Sequence, residues 1–324
     1  MPSVSRPALV VAVVGPTATG KSDLGIALAL ALGGEVVNTD AMQLYRGMDI
    51  GTAKVPVDER QGVPHHLLDV LEPSRDASVA DYQRWARAAL DDLAGRGRRA
   101  VAVGGSGLYV RALLDRLEFP GTDPALRALL EARVEAEGSR ALHDELRRLD
   151  PTAADAIGPR NARRIVRALE VIGVTGRPYS AALPDHVDEV PSVRIGLDCD
   201  RPTLDARVAA RVRRMWEEGL VDEVDRLVSD GLGRTAARAV GYAQVIAMRT
   251  GSLTEQEAFE STVAATRRLA RKQMGWFGRD PRVHWLDAQA PDLVERVLDV
   301  VARADAGTLG PPPERPDGRR SLGS

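Results

Sequence analysis

The chain of 324 residues has a single cysteine, Cys199, only three lysines, and aromatic residues at 4% of the total. One cysteine excludes an internal disulfide framework and fits a reducing cytosol, with the thiol serving as a buried apolar filler. His65, His66, His143, His186 and His284 show no metal-ligand spacing, and there is no paired Cys or His-Glu motif, so a protein-caged transition metal is not expected. No apolar run nears the ~20 residues a bilayer requires. The longest, Ile26 to Leu32, is one helix face of Ala and Leu. The stretch Leu9 to Val14 runs straight into Gly15-Pro16 and reads as a core strand, not a signal peptide. A net charge of −2 excludes an all-over basic coat, so any nucleic-acid contact must come from local patches. Beyond Lys21, Lys54 and Lys272, the basic residues are all arginine, which suits bidentate phosphate contacts or reflects codon usage.

What is present is concentrated at residues 15–22. Gly15, Pro16, Thr17, Ala18, Thr19, Gly20, Lys21 and Ser22 match Gly-x4-Gly-Lys-[Ser/Thr] at every fixed position, between a strand-like run and a helical stretch. Glycines let successive amides point inward, Lys21 supplies a mobile charge, Ser22 can reach a metal, and the helix dipole favours an anion. Two further β-like runs, Glu35 to Val37 and Arg99 to Val103, alternate with helical patterns, and His66 to Val70 is a fourth candidate. Such alternation implies parallel pairing with ligands at the carboxyl ends, so Lys21, Asp40 and Ser106 should converge.

Asp40 follows Val-Val-Asn-Thr. Its carboxylate is a candidate Mg²⁺ partner, a proton acceptor or a helix N-cap. Ser106 sits among Gly104, Gly105 and Gly107, which favours close ligand approach over a simple turn. Arg160, Arg163, Arg164 and Arg167 form one stripe at helical spacing, opposite Ile165, Leu169 and Ile172, and favour a phosphate-backbone contact. Arg267, Arg268, Arg271 and Lys272 repeat the idea, with Trp276, Phe277 and Trp285 expected in the core. Asp69 and Asp198 are weak candidates for a second acidic motif.

The length implies two domains or one core with an insertion. The expected architecture is α/β: a P-loop core with a central mostly parallel sheet (1–118 and 192–304), a helical insertion subdomain (119–191) and a disordered tail (305–324). Helices are expected over 78–93, 203–218 and 262–277, with a last strand over 283–286.

Together these stretches resemble the tRNA dimethylallyltransferase, or tRNA isopentenyltransferase, family. The resemblance rests on the loop, on Asp40 to Gln43 running into Tyr45-Arg-Gly-Met-Asp-Ile-Gly-Thr-Ala-Lys54, on Gly104 to Tyr109, on Arg163 to Gly176, on Ala239 to Gln244 and on Thr266 to Phe277. It implies transfer of the allyl group of dimethylallyl diphosphate to the exocyclic amine of the adenosine 3′ of the anticodon. The loop, with Arg211, would then hold the diphosphate, with Lys21 among the catalytic groups. Ser22 and Ser106 would support Mg²⁺, Asp40 would accept the amine proton, and Asp40, Ala41, Met42, Gln43 and Ser106 would meet the flipped base. Arg127, Arg160, Arg163, Arg164 and Arg167 would clamp the anticodon stem. Asn38, Ala41 and Ser106 stand where the family often carries Ser, Ser and Thr. A monomer in the cytoplasm, touching no membrane, is expected. The rival reading is a small-molecule kinase using ATP.

Overall fold

The computed structural model describes residues 9–182 and 186–313. The chain divides into two compact units, 1–114 with 188–324, and 115–187, so the second unit begins and ends slightly earlier than the 119–191 expected.

The first unit is built on a six-stranded parallel sheet in the order β3-β2-β4-β1-β5-β6. Its strands are β1 Val10–Val14, β2 Gly34–Asn38, β3 His65–His66, β4 Arg99–Val103, β5 Ser192–Asp198 and β6 Val283–Asp287. Valine dominates β1, and all five of its residues are buried, as expected for a strand covered on both faces. The helices of this unit are α1 Lys21–Leu32, α2 Val79–Gly95, α3 Gly107–Leu114, then, after the second unit's α4 to α7, α8 Arg201–Glu217, α9 Leu220–Ser229, α10 Tyr242–Arg249, α11 Glu255–Phe277 and α12 Leu293–Asp305. Ser78 caps α2 by accepting the Asp81 N–H. Helix α11 starts earlier than expected because Thr254 and Glu257 form a reciprocal capping box. Strand β3 is shorter than the His66 to Val70 run, and Leu67 and Asp69 take positive φ instead.

Strand order brings three loops together. The carboxyl ends of β2, β4 and β1 are adjacent, with β4 in the middle, so the loops after β2 and β1 lie two strand spacings apart, roughly 10 Å. Close packing enforces this. A Cβ on Gly25 of α1 would lie 2.5 Å from Val103, and one on Gly104 would lie 2.8 Å from the Asp40 amide nitrogen. Beyond α12, Leu309 packs against the main core, so the tail expected from 305 is ordered at its start; residues 314–324 lie outside the described residues.

The second unit holds α4 Pro124–Glu137, α5 Ser139–Leu149, α6 Pro151–Ile157 and α7 Ala162–Thr175 around Leu130, Leu142, Leu146, Ile165 and Leu169. Asp123, Asp150 and Asn161 cap α4, α6 and α7, and Pro124 and Pro151 occupy first helical positions. The arginine stripe is not uniform. Glu170, fully buried, accepts hydrogen bonds from Arg127 (2.6 Å), Arg167 (2.9 Å) and the Asp123 amide (3.1 Å). Arg167 also donates to the carbonyls of Pro120 and Gly121. Burial opposes the charge on Glu170, but the two guanidinium groups outweigh it and hold its carboxyl below the usual range. Arg167 of the stripe therefore shares an internal carboxylate with Arg127, so the stripe is not made of free cations alone. Arg160, Arg163 and Arg164 remain exposed.

Removing one partner of a buried pair costs far more than removing a surface charge. Arg167→Ala should lower stability by about 1–3 kcal/mol in thermal unfolding, and Arg163→Ala or Arg164→Ala by under about 0.5 kcal/mol. Equal losses at all three positions would show that the Glu170 cluster does not hold the unit together.

Candidate active site

The loop after β1 folds as its sequence demands. Gly15 and Gly20 take positive φ, as does Ala18, which is buried against Cys199, Leu204 and Met274. Gly15 has no room for a side chain, because a Cβ there would lie 2.8 Å from the Leu197 carbonyl of β5. Thr19 donates its hydroxyl to the Pro16 carbonyl (2.9 Å), and the Lys21 ammonium donates to the same oxygen, so Lys21 lies back across the loop. Gly20, at the N-cap of α1, offers no capping side chain, leaving the first helical amides available to an anion.

Two distant helices grip the loop through one residue. Arg211 of α8 donates to the Thr17 hydroxyl (3.2 Å), and Gln273 of α11 accepts the Thr17 amide (2.8 Å). Gln273 is also what requires glycine at 105, since a Cβ there would meet its amide nitrogen at 2.2 Å. Trp276, one turn further along α11, lies against Gly107 and is 38% exposed, whereas Phe277 is buried. The expectation of an all-core aromatic set fails for Trp276, which sits beside Ser106.

The turn after β2 presents Asp40. Asn38 accepts the Asp40 amide (2.8 Å) and donates to the carbonyls of Asp40 and Leu67 (3.0 Å each), so it shapes the turn from both sides. Asp40 accepts the Met42 amide (2.9 Å) and caps no helix. Ser106 accepts the Ala41 amide (3.1 Å), which bonds the end of β4 to this turn. Tyr82 donates to the Asn38 carbonyl (2.9 Å) and packs on Tyr109 with ring centroids 4.5 Å apart. Gln43 donates to the carbonyls of Thr52 (3.0 Å) and Ala53 (3.3 Å). Asp69 pairs with Lys54, which removes it as a second acidic motif.

The charges at this centre act on one another. Burial first, then repulsion by Arg211, lowers the Lys21 ammonium to about 7, against an opposing pull from Asp40. Burial raises the Asp40 carboxyl, against the Met42 amide and Lys21. Burial also lowers Arg211, with Arg214 adding to the effect. Lys21 and Asp40 thus belong to one electrostatic site, with Arg211 on the loop side and Ser106 on the Asp40 side.

Among the described residues no group of three or more His, Cys, Asp or Glu side chains is arranged to hold a metal. Mg²⁺ fits such a place where substrate phosphates supply most of its ligands and the protein adds one or two oxygens. The hydroxyls of Ser22 and Ser106 suit that role, both half-buried and at loop ends. Sequence reading did not find Gln273 or Tyr82 at this region. Only the spacing of Gln273 from the basic pairs of α11 could have pointed to it.

A parallel sheet with a glycine-bearing loop running from its inner strand β1 into α1 places the chain among P-loop α/β proteins. The sequence pattern of IPP transferases matches residues 43–280, and that of isopentenyl transferases matches residues 8–72. The chain is 62% identical to a tRNA dimethylallyltransferase of Thermobifida fusca over 90% of its own length and 94% of the relative's. Against the enzyme of that name from Salinispora tropica the figures are 59%, 91% and 93%. It is similar to the crystal structure of a tRNA isopentenylpyrophosphate transferase from Bacillus halodurans, with 41% identity, a TM-score of 0.68, and 93% and 97% of the two chains covered. A eukaryotic dimethylallyltransferase captured acting on tRNA shares the fold, with a TM-score of 0.80 at 23% identity, covering 95% of this chain and 81% of that one. The chain therefore belongs to the IPP transferase family, whose relatives named here are tRNA dimethylallyl and isopentenyl transferases.

Lys21 carries its charge below pH about 7 and loses it above, while a bound anion favours the charged form. Binding of a non-reacting alkyl diphosphate ester should therefore weaken as pH rises above about 7, by up to about tenfold per unit. Lys21→Ala should bind weakly at every pH and lose the slope. Calorimetric titration checks this, and a flat wild-type profile would contradict it.

Proposed function

We propose that the chain moves the dimethylallyl group of dimethylallyl diphosphate onto the exocyclic amine of the adenosine 3′-adjacent to the anticodon of tRNA, releasing diphosphate. The observation that carries this is the coupling of Lys21 to Asp40 across the end of β4. The membership of the family supports it, and the kinase alternative has no support among the relatives.

In this reading the bond between the allylic carbon and the diphosphate oxygen breaks, its electron pair stays on the diphosphate, and the adenine amine forms the new carbon–nitrogen bond. Lys21, the amides of Ala18 to Ser22 and Arg211 face the departing anion, the Thr17 amide being taken by Gln273. Donors already aimed where charge develops stabilise the transition state more than the ground state. Mg²⁺, held by Ser22 and Ser106, would supply further neutralisation of the diphosphate charge. Asp40 takes the proton that the amine releases. Its raised pKa makes it a better base than an ordinary carboxylate. An amine conjugated to a purine is a poor nucleophile, so a carboxylate on it during attack matters. Gln43 would meet the edge of the extruded base. Arg160, Arg163 and Arg164 would contact stem phosphates.

Asp40→Asn keeps an acceptor for the Met42 amide but no base. Transfer from labelled dimethylallyl diphosphate to tRNA should fall by about 10²–10⁴-fold, with tRNA affinity within a few-fold. Because Asp40 must be ionised to act, the wild-type rate should fall on the acid side at a pH above the ordinary carboxylate range. A large loss of tRNA binding with the residual turnover intact would make Asp40 a docking residue instead.

A further inference from the structure

The segment from Asp49 to Lys54 lies in irregular backbone between β2 and β3, and two buried charges fix it. From below, Lys54, 8% exposed, donates to the Tyr45 carbonyl, to Asp49 (2.8 Å) and to Asp69 (2.5 Å). From the other side comes Glu223 of α9, 2% exposed and more than 170 residues away in sequence. Its carboxylate accepts three successive amides, Asp49 (2.9 Å), Ile50 (2.8 Å) and Gly51 (3.1 Å), and a fourth hydrogen bond from the Tyr242 hydroxyl. Gly51 has no space for a side chain, because a Cβ would lie 2.4 Å from the Tyr242 ring and 2.8 Å from Leu220. The transfer chemistry set out above uses neither Glu223 nor Tyr242.

The consequence appears at the next two residues. The carbonyls of Thr52 and Ala53 accept the two hydrogens of the Gln43 amide nitrogen, at 3.0 and 3.3 Å. A side-chain amide has two donor hydrogens and one acceptor oxygen. With both hydrogens held by the loop, the Gln43 side chain is left only its Oε1, an acceptor, to offer a substrate. An acceptor suits the exocyclic amine of adenine, which donates, and opposes the carbonyl at the same position of a 6-oxopurine.

We propose that Glu223 is a positioning residue for acceptor-base selection: by holding the Asp49, Ile50 and Gly51 amides it fixes the Thr52 and Ala53 carbonyls, and through them the orientation of the Gln43 amide. Loss of the carboxylate frees the loop, lets the Gln43 amide turn over, and removes the penalty against a 6-oxopurine. Three amides of this turn would also lose their acceptor. The inference rests on the placing of Gln43 at the base.

The test uses the full chain and anticodon stem-loops carrying adenosine or inosine at the target position. Kd is measured for each, together with KM and kcat for the adenosine form and Kd for a non-reacting dimethylallyl diphosphate analogue. Glu223→Gln should cut the adenosine-over-inosine affinity ratio by about tenfold, the worth of one hydrogen bond to the base. KM for the stem-loop should rise, with kcat and the affinity for the diphosphate analogue changed less than about threefold, since Glu223 does not touch the loop at 15–22. Gln43→Ala, run in parallel, should lose the same ratio. If Gln43→Ala loses it and Glu223→Gln retains it, the positioning role is overturned while the reading of Gln43 stands. If Gln43→Ala retains it, both are overturned. Should Glu223→Gln fail to fold, Tyr242→Phe carries the test: it removes one of the four hydrogen bonds and should lower the ratio about two- to threefold, and an unchanged ratio would overturn the proposal.

Discussion

The facing of a half-buried ammonium and a half-buried carboxylate across the end of one strand is the constraint on which this site depends. Lys21 stands after β1 and Asp40 after β2, with β4 between them. Each makes the other's charge easier to hold, and burial makes each harder to hold. A site poised this way gains from a ligand that is strongly anionic at one end and gives up a proton at the other. The loops that carry them lie two strand spacings apart, roughly 10 Å, which leaves room for a reacting centre between them.

Glycine is what allows the surrounding backbone to close on that space. At Gly15 and Gly104 an added Cβ would strike backbone, the Leu197 carbonyl and the Asp40 amide, neither of which can turn aside as a flexible side chain would. At Gly105 and Gly107 it would strike Gln273 and Trp276, so α11 lies directly on the loop after β4. Thr17 joins the systems, held by Arg211 from α8 and Gln273 from α11. The loop at 15–22 is thereby tied to the helix that carries the second basic patch, and the turn bearing Asp40 is tied through Ser106 to the strand between them.

The local parts of this arrangement are legible in the sequence because they are set by neighbouring residues. The loop pattern, the valine strands, the Ser78 cap and the glycines at 104, 105 and 107 each act within a few positions, and from them the parallel sheet and the meeting of Lys21, Asp40 and Ser106 follow. The early start of α11 was also written locally, in Thr254 and Glu257. What stayed hidden depends on partners far apart in the chain. Arg167 looks like part of a basic face until Glu170 is seen to be buried beneath it with Arg127. Gln43 looks free until the Thr52 and Ala53 carbonyls are seen to hold its amide. Glu223 in an amphipathic helix carries no mark of the three amides it binds, because those lie in a turn that periodicity does not describe. Trp276 was read as core from its position opposite arginines, yet the absent side chain at Gly107 gives it a resting place near the surface. Asn38 makes three hydrogen bonds around Asp40, so one side chain shapes the turn from both sides.

The most direct test of the shared centre is a crystal structure of the Asp40→Asn protein with an anticodon stem-loop and a non-reacting dimethylallyl diphosphate analogue. The account predicts the diphosphate on the amides of 18–22 and Lys21, the exocyclic amine within hydrogen-bond reach of residue 40, and the allylic carbon between them in line with the departing oxygen. A target base bound away from residue 40, or a diphosphate held outside the loop, would contradict it.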